Sequence, residues 1–226
     1  MRKLVLSIFG IMLLSISSVL ANAGIGVTLS YNDISTAAKE DVDNNSTTDA
    51  TKNVSDKVGA ASIFAEYTYE YNGMLLTFGV DVIPTSADID KRTTTQTSIK
   101  AKAAGAAAKV SGTNSVEATI SDHITYYLQP GFPMSENTTF YGTLGYSMAN
   151  IEGKSNSISS TNITKGEDLA GVKLGLGVKW DAGSYFMKFD YAQTDYNQVG
   201  WTTDNGTKGM ADLDNKAVSV SMGKSF

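Results

Sequence analysis

Seven charged residues stand at alternate positions within stretches that are otherwise apolar and small by turns: Glu66, Glu70, Asp81, Lys173, Lys179, Lys188 and Asp190. Charges at that phase share the polar face of a strand. If that face is enclosed they need partners, so the chemistry they offer is ion pairing inside a lumen, with Lys173 diagonal to Asp190 as the pair spacing allows. A narrow conducting path is the rival use of the same groups. His123 is the only histidine and takes the same inward phase. A Ser/His/Asp triad could be drawn from any chain this rich in Ser and Asp, so such a match has no weight. Asp41-Val42-Asp43-Asn44-Asn45 has the look of a calcium loop, but Ser46 stands where Gly is required and Lys52 where a bidentate Glu belongs. With Asp212-Leu213-Asp214-Asn215 it reads as solvated acidic loop. No catalytic, cofactor-binding or metal-binding residue is assigned.

These side chains must be positioned by strands, because the dominant periodicity is two. Ile25, Val27, Leu29 and Tyr31 alternate with Gly, Thr and Ser in the first strand. Ala61, Ile63, Ala65, Tyr67, Tyr69 and Tyr71 form the apolar face of the second, and Met74, Leu76, Phe78, Val80 and Val82 that of the third. Asn72-Gly73 between them predicts a type I′ hairpin pairing Tyr71 with Met74 and Tyr69 with Leu76, which puts both apolar faces on one side. A fourth strand carries Ile120, Ile124, Tyr126 and Leu128, and Pro130-Gly131-Phe132-Pro133 predicts a turn after it. The fifth carries Phe140, Leu144, Tyr146 and Met148, and the sixth Ala170, Val172, Leu174, Leu176, Val178 and Trp180. A turn at Ala182-Gly183 would pair Trp180 with Tyr185 and lead into Tyr185, Met187, Phe189 and Tyr191. The eighth strand is Ala217 to Phe226, with Val218, Val220, Met222 and Phe226 on one face. Tight turns alternate with long polar segments, about residues 33 to 57, 84 to 116, 152 to 167 and 193 to 215, too polar and aperiodic to fill a core. Within the second, Ala101 to Val110 could form a short helix or extend the flanking strands.

Residues 1–23 read as a signal peptide: Arg2 and Lys3, an apolar run from Leu4 to Leu20, and Ala21-Asn22-Ala23 as the cleavage site. The remaining 24–226 suit one domain of 16 basic against 23 acidic residues, a formal charge of −7. Such a chain is a poor nucleic-acid binder. Cysteine is absent, so there is no disulfide framework. An exported chain without a second long apolar run can still sit in a membrane if it closes into a barrel that leaves no backbone group unpaired in lipid.

Eight strands with long and short connections in alternation predict an all-β, eight-stranded antiparallel transmembrane β-barrel with up-and-down meander topology. The apolar face points outward. Its aromatics Tyr69, Tyr71, Phe140, Trp180, Tyr185 and Phe226 gather near the tight turns, as a periplasmic aromatic girdle requires. The other face mixes Phe64, Leu75, Tyr127, Tyr141 and Phe186 with the seven charges, and Lys173 turned to lipid near the midplane would cost about 2–4 kcal/mol. Lys224 lies on the lipid face, near enough to its edge to snorkel.

Phe140-Tyr141-Gly142-Thr143-Leu144-Gly145-Tyr146, Gly175-Leu176-Gly177-Val178, Lys188-Phe189-Asp190-Tyr191 and the tail ending in Phe226 resemble the opacity-like and OmpA-like eight-stranded outer-membrane barrels. The resemblance implies a monomer in the bacterial outer membrane, in contact with its lipids. It also implies a closing strand read by the barrel-assembly machinery, and exposed loops that meet an extracellular partner. No domain follows the barrel in this sequence, so the peptidoglycan-binding role of full-length OmpA-like proteins is not carried over. Outer-membrane lipid A deacylases use His-x-Ser, but here the residues are His123-Ile124-Thr125 with no orienting Glu assigned, so no enzyme is expected. The expected role is structural or surface contact through the loops, with a narrow pore for small solutes as the alternative.

Overall fold

The computed structural model describes residues 22–41, 46–48, 50–96, 112–156, 163–202 and 208–226. Residues 1–21 of the expected signal peptide, most of the acidic stretch after Asp41, and Ala101–Val110 lie outside them. Among the described residues there are ten strands: β1 Ala23–Asp41, β2 Ala50–Tyr71, β3 Met74–Ile83, β4 Ala87–Gln96, β5 Gly112–Ser135, β6 Thr138–Asn156, β7 Ile163–Ala182, β8 Tyr185–Tyr196, β9 Val199–Thr202 and β10 Lys208–Ser225. Neighbours pair antiparallel in the order β1-β2-β3-β5-β6-β7-β8-β10, and β10 returns to β1. The ring is therefore closed on eight staves. Two of these staves are broken: β4 continues β3 along β5, and β9 continues β8 along β10. The first break falls at Pro84, which has no N–H to give the ladder.

Closure runs from Gly24 opposite Ser225 to Asp41 opposite Lys208 without a register shift. Inside, Thr28 and Ser221 hydroxyls bond across that seam at 2.8 Å, and Asn215 Nδ2 donates to Asn32 Oδ1 at 2.9 Å. The Asn72-Gly73 hairpin has the predicted register, Tyr71 to Met74 and Tyr67 to Phe78, with φ of 53° and 78° at its two central residues. The β7–β8 hairpin differs by two positions. Ala182 pairs with Tyr185 and Trp180 with Met187, because Gly183 (φ 67°) takes the first place of the turn and Ser184 the second. A Gly-first two-residue turn is the II′ solution. A shift of two leaves each side chain on its expected face, which is why the alternation alone did not expose it.

Two other expectations are corrected. The chain does not turn at Pro130–Pro133: β5 runs on to Ser135 and turns at Glu136-Asn137. Pro133 lies past the last β3 rung, Leu75 to Gly131, so its missing N–H deprives no β3 partner. Ile120 does not share a face with Ile124. The register of β5 on β6 slips between Ser121 and Ile124, where Asp122 adopts φ 53°, and this bulge turns Ile120 inward against Ile151.

Among the described residues, the long polar segments are largely strand. Below residues 32, 60, 149 and 216 the barrel is apolar outside and polar inside; above them the chemistry reverses while the phase continues. Val27, Leu29, Tyr31, Leu174, Leu176 and Val218 are exposed on the outer wall of the lower storey. Above them the same outward phase carries Asp33, Lys57, Asn150, Asp168 and Lys216, and the inward phase carries Ala149, Leu169, Val199, Ala211 and Leu213, a buried cluster joined by Ile120, Ile151, Tyr196 and Trp201. The upper storey is thus built like a soluble barrel stacked on a membrane barrel.

Candidate functional site

Six inward aromatics stand across from glycine on a neighbouring strand: Phe64 from Gly26, Tyr127 from Gly79, Tyr141 from Gly177, Phe186 from Gly223, Tyr196 from Gly171 and Trp201 from Gly209. Each ring lies over its glycine. A Cβ on Gly79 would come 2.2 Å from Tyr127 Cζ, one on Gly223 2.3 Å from Phe186 Cζ, and one on Gly209 2.1 Å from Trp201 Cε2. Missing side chains on one strand are therefore filled by large ones from the next, so the lumen is packed at these levels.

The lower four of these rings surround Lys188. Its ammonium lies 5.2 Å from the Phe64 ring centroid, 5.6 Å from Phe186, and 5.7 Å from both Tyr127 and Tyr141. It donates to the Glu66 carboxylate and, at 3.1 Å, to Gln129 Oε1. Tyr127 also donates to Glu66, at 2.9 Å, and Gln129 Nε2 to Thr143 at 3.1 Å. Both charges are nearly inaccessible, at 7% for Glu66 and 4% for Lys188. Burial at that level is tolerable only because each has its countercharge, further hydrogen bonds and aromatic faces.

Of the seven charges read from the sequence, Glu66 and Lys188 form a direct pair; the others go elsewhere. Asp81 accepts from Ser62 at 2.7 Å and Asp190 from Tyr141 at 2.5 Å. The Lys173–Asp190 diagonal does not form, because the two-residue shift of the hairpin puts Lys173 opposite Thr194 and Asp190 opposite Gly177. Lys179 bridges to Asp181 at 2.9 Å and caps the Phe186 ring at 4.6 Å. Glu70 is exposed beside the Asn72-Gly73 turn, too near the barrel's end to enter the lumen. Ser62 and Gln129, short polar residues with no motif, were found only through the closed ring.

Above this cluster, with Lys188 and Gln129 in its floor, lies a chamber of about 290 Å³ whose polar lining includes Asn32, Asp81, His123, Lys173, Asp190 and Thr194 beside apolar groups such as Ile34 and Leu169. His123 Nε2 is 2.9 Å from Tyr196 Oη, and its Nδ1 is buried without a partner. Thr125 shares its hydrogen bond with Ser147 at 2.8 Å, so His123 and Thr125 are not arranged as base and nucleophile. In the acidic segments, Asp41 accepts from the Ser46 amide at 2.9 Å, and Asp212 is held by Gln198 at 2.9 Å and Lys39 at 3.7 Å. The six aromatics near the tight turns, Tyr69, Tyr71, Phe140, Trp180, Tyr185 and Phe226, all lie exposed on the outer wall, and Lys224 Nζ sits 5.0 Å over the Phe226 ring.

A closed antiparallel ring with an apolar outer belt and a hydrogen-bonded polar lumen is a transmembrane β-barrel of the bacterial outer-membrane type. The structure resembles the outer-membrane protease OmpT from Escherichia coli, at TM-score 0.53 and 8% identity over 94% of this chain and 99% of that one. Weaker likenesses reach Ail, the attachment invasion locus protein of Yersinia pestis, at TM-score 0.38 and 12% identity over 88% of this chain and 99% of that one. Neisserial surface protein A follows at 0.38 and 10%, over 88% and 97%. At such identities the likeness is one of fold. No protein-family model matches the chain, and no curated protein sequence is significantly similar to it.

Proposed function

We propose that this barrel serves at the cell surface as a sealed, monomeric scaffold: it blocks passage through its membrane storey and presents the polar outer wall and loops of the upper storey to partners outside the cell. The Lys188–Glu66 pair carries the reading. Wrapped by Phe64, Tyr127, Tyr141 and Phe186, it fills the lumen with groups that hold one another. An ion entering there would have to break a buried, fully partnered charge pair, which costs several kcal/mol. The outward aromatics near the tight turns are assigned to the periplasmic lipid interface, and the Phe226 strand to recognition by the assembly machinery.

Purified protein should migrate differently in unboiled and boiled gel samples, and reconstitution in planar bilayers should yield no unitary currents. Reproducible currents that change with Lys173→Ala would replace the scaffold by a narrow pore. The surface role is tested by binding of intact cells to host matrix and serum components. Deletion of residues 113–118 with 153–156 should abolish any adherence the wild type confers, while leaving the heat-modifiable shift in place.

A further inference from the structure

We propose that the upper storey encloses a binding site for a small, uncharged apolar molecule, a role that goes beyond surface contact and does not depend on whether the lower lumen conducts. The inverted patterning creates it. Above the Leu169–Leu213 layer lies a second chamber of about 320 Å³, whose wall includes Val54, Ile89, Val116, Ile151, Trp201 and Leu213. The volume lies within the usual range for small-molecule sites, and such sites are mainly apolar.

Three observations point to an occupant. Left to water, a space of this size would hold about ten molecules, each needing two or more polar partners. The charged lining residues Lys52, Asp56, Arg92, Glu117, Lys154 and Glu167 offer these along part of the wall only, and Val54, Ile89, Val116, Ile151 and Leu213 offer none. Val116 keeps 48% of its surface exposed although its side chain lines the chamber, so apolar area is available there for a ligand to cover. Trp201 is placed for the task by a local device, since its indole can lie against β10 only because residue 209 is glycine. The charge state follows from the cations on the wall. Three cations line the wall, Lys52, Arg92 and Lys154, against three carboxylates, Asp56, Glu117 and Glu167, so it carries no net formal charge; Arg92 is bonded to Asp56, and Lys154 to Glu152 at 3.3 Å. A ligand carboxylate or phosphate would have to displace those pairs; an uncharged hydrophobe need not. The chamber beneath, with Lys173 and His123, lies on the other side of the Leu169–Leu213 layer and takes no part.

The chain has two tryptophans, Trp180 on the lipid face and Trp201 in the chamber, which allows site and bilayer to be told apart. Trp180→Phe protein in lipid nanodiscs is titrated with 1-bromonaphthalene, an uncharged heavy-atom quencher. Trp201→Phe protein reports partition into lipid through Trp180. The expected result is saturable quenching of Trp201 against a linear response of Trp180. Ala118→Phe, which fills the chamber, should abolish the saturable phase, and Val116→Asp should weaken it about ten-fold. Folding of each variant is checked by its gel shift; should Ala118→Phe fail to fold, Val116→Asp decides alone. Quenching of Trp201 that rises linearly in parallel with Trp180, or saturation unchanged in a folded chamber variant, overturns the proposal.

Discussion

Lys188 on β8 donates to Glu66 on β2 from three staves round the ring and 122 residues away in sequence. Neither residue has a local reason to be charged. Each is tolerated because the closed ring delivers the other, together with Tyr127 for the carboxylate and Gln129 for the ammonium.

The pair should therefore be worth most as a unit. Glu66→Leu leaves a buried ammonium without its countercharge and is expected to destabilise the barrel by about 3–5 kcal/mol, whereas Glu66→Leu combined with Lys188→Met should recover most of that loss. Reversible urea unfolding in detergent micelles or vesicles, followed by gel shift, measures both. Additive losses in the double variant would mean that the two charges are not coupled.

Glycine placement makes a sharper contrast. A Cβ on Gly26 would lie 2.3 Å from the Met222 carbonyl oxygen at the β1–β10 seam, while one on Gly59 would meet nothing within 4 Å. Backbone cannot step aside as a side chain can, so Gly26→Val is expected to abolish the heat-modifiable folded form and Gly59→Val to retain it. Equal folding yields would remove the close approach at the seam as a requirement for closure.

The bulge at Asp122 should be sensitive to shape rather than charge. At φ 53° a β-branched side chain is strained, so Asp122→Val should cost roughly 1–3 kcal/mol and Asp122→Gly much less. Asn150 Nδ2, 3.1 Å from Asp122, would lose its partner in both, which lets the pair of variants separate backbone strain from the lost hydrogen bond. Comparable losses in both would assign the effect to that bond.

The boundary between storeys can be mapped by outward charges. Leu174 is exposed in the apolar belt, so Leu174→Arg should cost about 2–4 kcal/mol in a bilayer. Glu152, outward above the belt and paired with exposed Lys154, should accept Arg with little loss, since such surface pairs contribute about 0–1 kcal/mol. A large penalty at residue 152 would place the belt higher than the change from Met148 to Asn150 implies.

Much of the lower storey was legible in the chain. Strict alternation over Ile25–Tyr31 and Val172–Trp180 names the strands and their faces, because the strand period of two is a local property. Asn72-Gly73 sets its own register, since a two-residue turn leaves no freedom in pairing. The β7–β8 register was misplaced by two because alternation is blind to an even shift, and with it went the expected Lys173–Asp190 contact. Ile120 was misassigned because a bulge has no period. The upper strands passed for loop because Asp33-Ile34-Ser35-Thr36-Ala37-Ala38-Lys39 alternates weakly and with its apolar side turned inward, opposite to the belt below it.

By itself, then, the sequence determined the number of staves, which face of each is apolar in the membrane, and the Asn72-Gly73 turn. Tertiary structure alone decided which charges meet, which ring covers which glycine, and that a mainly apolar chamber is stacked on one lined by His123, Lys173 and Asp190. The physical reason is range. Backbone periodicity and turn chemistry act over a few residues, whereas the Lys188–Glu66 pair and the Trp201 wall exist only once β10 has closed on β1 and brought distant strands around a common axis.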